Sequence, residues 1–430
     1  MKRSQTVRLF FATKLLESPL VRSTMVLFSG TMLGNVFSYL FQVVMGRMLS
    51  VSDYGAMNAL FAFMALAGVP FATVTHYLAK RISQHLAREE RDIANSLILR
   101  SYRNIFLVGL VVSLIGAMLS PQISSYLQIP GILPVIFMCG AFLFNTAMPI
   151  NSGVLQGFQA FGTLSAIAAG FPVLRVVFGA SAVLLGFGLN GVLGATIVAT
   201  FLASFLVVPK IKQNLRFGIT FSAIKGRELL REVWPLLMGN AAFMVISQSD
   251  IILVKALFSP EEAGYYSSAA IVSKALMYLP GALILSLFPM VAANSAKQEG
   301  SFHLLIKALG LTALLSGSGA LAFFFFSEML VSMLFGAKFL TSVALIPKFV
   351  MAVFPMALLM VLMTYNMARG GLASIFILLI GAIVQVVWIY QSHQSLLNVL
   401  DVIFYCNLVL AVMSLALAYQ FERKQMHRTT

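Results

Sequence analysis

Long apolar runs separated by short polar stretches dominate the chain, at roughly 24–48, 55–78, 104–120, 131–154, 163–187, 190–208, 233–257, 265–290, 304–328, 344–367, 373–392 and 397–419. At about 1.5 Å per residue, runs of about 20 residues cross a hydrocarbon core of about 30 Å as helices. None shows the period-two alternation of barrel strands, and backbone in lipid must otherwise satisfy its hydrogen bonds within a helix. The pattern predicts an all-α polytopic membrane protein with about twelve transmembrane helices.

Composition agrees. Of 430 residues, 60% are hydrophobic and 10% charged, against about 45–50% and about 25% in soluble domains. That much apolar surface does not fit a soluble core, which excludes a soluble enzyme, a disordered chain and a nucleic-acid packaging protein. The first run follows Lys2, Arg3, Arg8, Lys14 and Arg22 and exceeds 20 residues, longer than a signal h-region, so it reads as a span. Val7, Leu9, Phe10, Leu15 and Leu16 alternate with those cations, predicting an amphipathic arm on anionic lipid. Cys139 and Cys406 sit far apart inside apolar runs and form neither a disulfide framework nor a metal pattern.

The net charge of +15 comes from 29 Lys+Arg against 14 Asp+Glu. Most of the cations fall on one side of a twelve-span topology. Besides the N-terminal arm, the 79–103 loop carries Lys80, Arg81, Arg88, Arg91, Arg100 and Arg103, and the 209–232 loop carries Lys210, Lys212, Arg216, Lys225, Arg227 and Arg231. The tail adds Arg423, Lys424 and Arg428, while the opposite loops 121–130 and 188–189 are nearly uncharged. Cytoplasmic loops collect Lys and Arg, so the cell membrane with both termini cytoplasmic is expected, and no nucleic-acid partner is needed.

Two six-helix halves echo each other. Leu49-Ser50-Val51-Ser52-Asp53-Tyr54-Gly55 corresponds to Phe258-Ser259-Pro260-Glu261-Glu262-Ala263-Gly264-Tyr265, and Pro70 follows Gly55 by 15 residues as Pro280 follows Gly264 by 16. Interrupted second helices are expected at Gly68-Val69-Pro70 and Pro280-Gly281, giving gating or hinge candidates Gly68, Pro70, Pro280 and Gly281; against this, Gly and Pro are common in membrane helices. The expected organisation is a basic arm (1–22), an N-terminal lobe (23–208), an inter-lobe linker (209–232), a C-terminal lobe (233–420) and a tail (421–430).

Several ionisable residues lie within spans. Arg175 is about 12 residues, or about 18 Å, from either end of the fifth span. It belongs against a wet cavity or in an ion pair with Asp250 or Asp401. Lys274 and Asp250 lie at similar depth and either pair or line a cavity; Arg47 and Lys255 end the first and seventh spans, as interfacial anchors or cavity cations. Were Arg47, Arg175, Lys255 and Lys274 to line one cavity with Asp250, it would suit an anionic head group. Asn35, Gln42, Asn58, Asn145 and Gln248 supply polar contacts there or hydrogen bonds between helices, and His76 is a candidate for proton coupling. No catalytic constellation, cofactor motif or ATP-binding loop is present, so any pumping would draw on an H+ or Na+ gradient, the membrane potential or consumption of product.

Residues 46–58 (GRMLSVSDYGAMN), 250–269 (DIILVKALFSPEEAGYYSSA), 285–297 (LSLFPMVAANSAK) and 154–162 (VLQGFQAFG) resemble the oligosaccharide/polysaccharide flippase branch of the multidrug/oligosaccharidyl-lipid/polysaccharide exporter superfamily. The resemblance implies two six-helix lobes in a V, alternating access, and a glycan on polyprenyl pyrophosphate moved to the outer leaflet. It also implies membrane lipids and polysaccharide assembly proteins as partners; the deep cations agree with such a cargo, and Arg175 and Lys274 are the candidates for holding its phosphate charge. A cation-coupled drug exporter of the same superfamily would need acids in the first-lobe helices, whereas the deep first-lobe charge is Arg175. A flippase for the peptidoglycan lipid precursor resembles a fourteen-helix chain. A membrane scaffold would gain nothing from deep charge. On the sequence alone, Arg175→Ala and Lys274→Ala should insert and fold normally but stop translocation.

Overall fold

The computed structural model describes residues 19–214, 226–278, 280–281, 284, 287, 290–291, 294 and 300–429. The fold is all-helical, 91% helix, with no strand among the described residues. The first half comprises α1 (Pro19–Met48), α2 (Val51–Ala87), α3 (Arg91–Met118), α4 (Ser120–Tyr126), α5 (Leu133–Asn145), α6 (Ala147–Gly157), α7 (Phe161–Leu184), α8 (Gly188–Phe205) and α9 (Val208–Asn214). The second comprises α10 (Gly226–Leu257), α11 (Pro260–Lys274), α12 (Phe302–Phe325), α13 (Ser327–Phe335), α14 (Ile346–Ala368), α15 (Leu372–Gln391) and α16 (Leu396–Thr429). Eleven helical stretches among the described residues are long and apolar enough to cross a membrane. The remaining run, 265–290, includes positions outside the described residues. Leu114, Leu184, Leu314 and Ile380 are among many large apolar side chains facing outward, a surface that lipid, not water, satisfies. The protein is a multi-pass membrane protein.

Two expectations change. The basic 79–103 stretch is helical except for Arg88, Glu89 and Glu90, because Lys, Arg, Gln and Leu favour helix without an apolar surface to bury. Helix α2 also runs unbroken through Gly68 and Pro70. A proline removes one backbone donor, and the flanking turns here hold the helix. In the second half the helical path tightens into a 3-10 turn at Ala275–Met277, ahead of Pro280 and Gly281, whose backbone is helical. The N-terminal arm to residue 18 and most of the linker, 215–225, lie outside the described residues.

Packing resolves two compact units. The first takes residues from Met1–Met45, Phe71–Leu119 and Ile136–Leu229; the second from Gly46–Pro70, Ser120–Val135 and Leu230–Thr430. In the first unit, Leu78, Ile82, Leu97, Ile98, Ile150 and Val154 join α2, α3 and α6, and Leu155, Leu164, Ile167, Ala203 and Val207 join α6, α7 and α8. Helix α1 approaches α7 through a G-x-x-x-G face. A Cβ on Gly30 would lie 1.9 Å from Ser165 Oγ, and one on Gly34 would lie 2.2 Å from the Ala168 carbonyl oxygen, so only hydrogens fit there. Pro172 has no N–H for that Ala168 carbonyl, which leaves it turned to the glycine.

In the second unit α14 is the axis. Met356, Leu359, Leu362 and Tyr365 on it pack with Ala242 and Ile246 of α10, Leu305 of α12, Leu378 of α15 and Leu410 of α16. Helix α11 starts with a capping box. Ser259 Oγ accepts from Glu262 N at 3.3 Å, Glu262 Oε2 accepts from Ser259 N at 3.1 Å, and Pro260 fills the first turn.

Candidate functional site

The deep charge of the first unit is Arg175, on α7, half-buried. Its guanidinium carbon stands 4.0 Å from the centroid of the Phe41 ring of α1 and 5.6 Å from that of Phe171, one turn back on α7. The G-x-x-x-G approach brings α1 close enough for this stacking, and Gly179 leaves room for Phe41 and Met45. Two aromatic faces stabilise a cation in a desolvated place. The acids weighed as partners for Arg175 are engaged elsewhere, Asp250 by Lys274 and Asp401 by Lys348 at 2.6 Å.

The second unit brings Asp250 and Lys274 together. Asp250, 1% exposed on α10, accepts from Lys274 Nζ at 2.9 Å on Oδ1 and 2.8 Å on Oδ2. Tyr266 donates its hydroxyl to Oδ2 at 2.9 Å, and Lys274 also donates to the Ser247 carbonyl at 2.6 Å. Phe349 of α14 closes the site, its ring centroid 5.0 Å from that of Tyr266 and 5.9 Å from Nζ. An acid and a base 24 residues apart on successive helices thus share one buried cluster. Of the two sequence readings for Lys274, the ion pair is the one observed.

Arg47 and Lys255 have other roles. Exposed Arg47 donates through Nε to the Leu334 carbonyl at 2.8 Å and through Nη2 to that of Met333, so it caps the C-terminus of α13. In return Lys338, just past that end, donates to the Arg47 carbonyl at 2.9 Å and to that of Leu49. Each helix end thus receives a cation from the other segment, the favoured partner for terminal carbonyls. Lys255 is 1% exposed, so it is no interfacial anchor. Its Nζ lies 3.4 Å from the Gln128 carbonyl, and Gln128 Nε2 donates to the Ala256 carbonyl at 3.0 Å.

The sequence echo marks one crossing without revealing it. Gly55 and Gly264, the corresponding glycines of the two halves, pack on each other. A Cβ on Gly55 would sit 2.7 Å from Gly264 N, and one on Gly264 would sit 2.1 Å from the Val51 carbonyl oxygen. Each is the fifth residue of its helix. Tyr54, Phe335 and Phe339 cluster beside it with centroids 5.4–5.7 Å apart. We call this assembly the clasp. Arg47→Ala, by uncapping α13, is expected to lower stability by about 1 kcal/mol, measured as an earlier thermal transition of the purified protein.

The polar candidates differ in burial. Asn58 is buried and donates to the Tyr54 carbonyl at 2.9 Å, a bond within its own helix. Asn35, Gln42, Asn145 and Gln248 are half-buried. His76 lies on helical backbone, and its side chain is outside the described residues. Gln385, missed in the sequence, is buried and donates to the Ile246 carbonyl at 2.8 Å, bridging α15 to α10. Among the described residues no three His, Cys, Asp or Glu side chains group to hold a metal ion.

Fold and hydropathy define an all-helical multi-pass membrane protein, and the comparisons agree on the fold. The chain has the fold of an inward-facing multidrug resistance MATE family transporter of the MOP superfamily, with TM-score 0.78 and 12% identity over 94% of this chain and 99% of that one. Lipid II flippase MurJ in an inward closed conformation gives 0.71 and 12% over 93% and 87%. A MOP superfamily transporter from Pyrococcus furiosus, described as having a binding pocket of reverse polarity, gives 0.68 and 14% over 96% and 98%. No curated protein matches the sequence. Residues 44–344 match the family described as polysaccharide biosynthesis protein, and the chain belongs to that family.

Proposed function

We propose that this protein is a flippase that moves a glycan linked to polyprenyl pyrophosphate from the cytoplasmic to the outer leaflet, for cell-surface polysaccharide biosynthesis. The observation that carries the reading is family membership over residues 44–344. Arg175 supports it chemically. Its guanidinium, 4.0 Å from the Phe41 centroid, is the side-chain type that suits bidentate phosphate contact. Lys274 is the second head-group candidate, reached by exchanging its present partners, while Arg47 serves the clasp and Lys255 is held at the Gln128 carbonyl. A cationic drug is the poorer fit to a first unit whose deep charge is Arg175.

On this reading the halves 23–208 and 233–420 move about the 209–232 linker, and the clasp, which joins residues of both halves within the second compact unit, must part for them to do so. The basic loops put both termini in the cytoplasm at the cell membrane. Membrane lipids surround the protein, polysaccharide polymerase or assembly proteins take over its product, and it makes or breaks no covalent bond. The drive is a proton or sodium gradient, or the inside-negative potential, which favours outward passage of each negative charge by about 2.3 kcal/mol per 100 mV.

The test is flipping of a fluorescent glycan-linked polyprenyl pyrophosphate by protein reconstituted into vesicles, with and without imposed gradients. Arg175→Ala is expected to lose at least about 90% of the rate while stability falls by no more than about 2 kcal/mol. No flipping by the wild-type protein would overturn the function, and normal flipping by Arg175→Ala would overturn the role of Arg175.

A further inference from the structure

We propose that Asp250 is a proton-binding site whose occupancy is set by whether an anion holds Lys274. The proposal deepens the head-group reading above and rests on it. The three ammonium hydrogens of Lys274 match its three acceptors, Asp250 Oδ1, Asp250 Oδ2 and the Ser247 carbonyl. A phosphate oxygen can bind Nζ only by displacing one of these, and the carboxylate is the acceptor that like charge expels. Asp250 then retains the Tyr266 hydroxyl as its described donor. Leaving a buried carboxylate without a compensating positive charge is costly, and a proton is the charge that water can deliver to it.

Charge balance is kept. Before exchange the cluster holds one ammonium and one carboxylate. Afterwards it holds one ammonium, one carboxylic acid and one phosphate negative charge, the proton having come from water with no other bond made or broken. An anionic head group would therefore take up a proton as it binds. By reciprocity, a proton on Asp250 frees Lys274 and strengthens anion binding.

The surroundings assign the proton to Asp250. From α11 the carboxylate is faced by Lys274 and Tyr266, and from α14 by the uncharged Phe349. Lys348, next to Phe349, is paired with Asp401. Lys255, five residues along α10, is held at the Gln128 carbonyl. Among the described residues Lys274 is the cation in ion-pair contact with Asp250.

The experiment is titration calorimetry of the full-length purified protein with inorganic pyrophosphate, at one pH in two buffers of different ionisation enthalpy. Wild type should take up about one proton more per pyrophosphate than Asp250→Asn, which removes only the share of Asp250. Its affinity should also rise more steeply as pH falls. Equal proton counts and equal pH slopes would overturn the coupling while leaving the head-group site in place. No pyrophosphate binding to wild type would overturn the head-group reading itself. Infrared difference spectra of wild type give a readout independent of the variant's folding. A protonated-carboxyl band should appear when pyrophosphate is added, and its absence with pyrophosphate bound counts against the proposal.

Discussion

Gly264→Leu is expected to open the clasp and abolish glycan-lipid translocation. The new Cβ alone would fall 2.1 Å from the Val51 carbonyl oxygen and 2.7 Å from its carbon. Those are backbone atoms inside a helix, so no rotamer change relieves the overlap, and α11 and the start of α2 must separate. Overpacking costs about 1–3 kcal/mol where neighbours yield, and separation also removes Tyr54 from the rings of Phe335 and Phe339. Met57, 0% exposed one turn along α2, reports the opening. As Met57→Cys, with Cys139 and Cys406 replaced by Ala, it should be protected from maleimide in the parent and labelled when Gly264→Leu is added. Continued protection with normal translocation would show that the clasp does not gate transport. Gly68→Ala is the matched control, because its Cβ would meet nothing within 4 Å. A transport defect there without loss of stability would mark Gly68 as a hinge.

The crossing shows what the sequence can and cannot reveal. Alignment of the two hairpins equated Gly55 with Gly264, because a duplication preserves its local pattern. That the two touch depends on where two helices cross, which no spacing within either hairpin encodes. The same holds for Arg175: Phe171 is one turn away and legible, whereas Phe41 lies on another helix. Spans were legible because the bilayer demands long apolar runs. The helical ends of α2 and α3 were not, because Lys80, Arg81, Arg91 and Arg100 carry no hydropathy signal while their backbone is helical like the rest. The break expected at Pro70 is absent for a related reason. One missing donor is a local loss, and the helix continues on both sides of it, with Val69 and Phe71 both buried.

The Asp250–Lys274 pair changes the expected result of mutating the lysine. Depth alone suggests that Lys274→Ala folds normally and fails only in transport. With Nζ bonded to both carboxylate oxygens of a side chain 2% exposed, removing the lysine strands a buried charge. Breaking one side of such a pair costs about 3–5 kcal/mol, whereas replacing both partners by apolar residues of similar volume is often neutral. Lys274→Ala and Asp250→Ala should therefore each shift the thermal transition sharply downward. Asp250→Leu with Lys274→Met should lose far less than Asp250→Leu and Lys274→Met lose separately, a non-additivity of several kcal/mol in the double-mutant cycle of those variants. Additive losses would mean that the two charges act independently. The double variant also separates the roles of the pair: a protein that regains stability but flips no substrate retains a working scaffold without the charge that transport requires. Full flipping by that variant would place the head-group contact elsewhere, with Arg175 the remaining deep cation of the proposal.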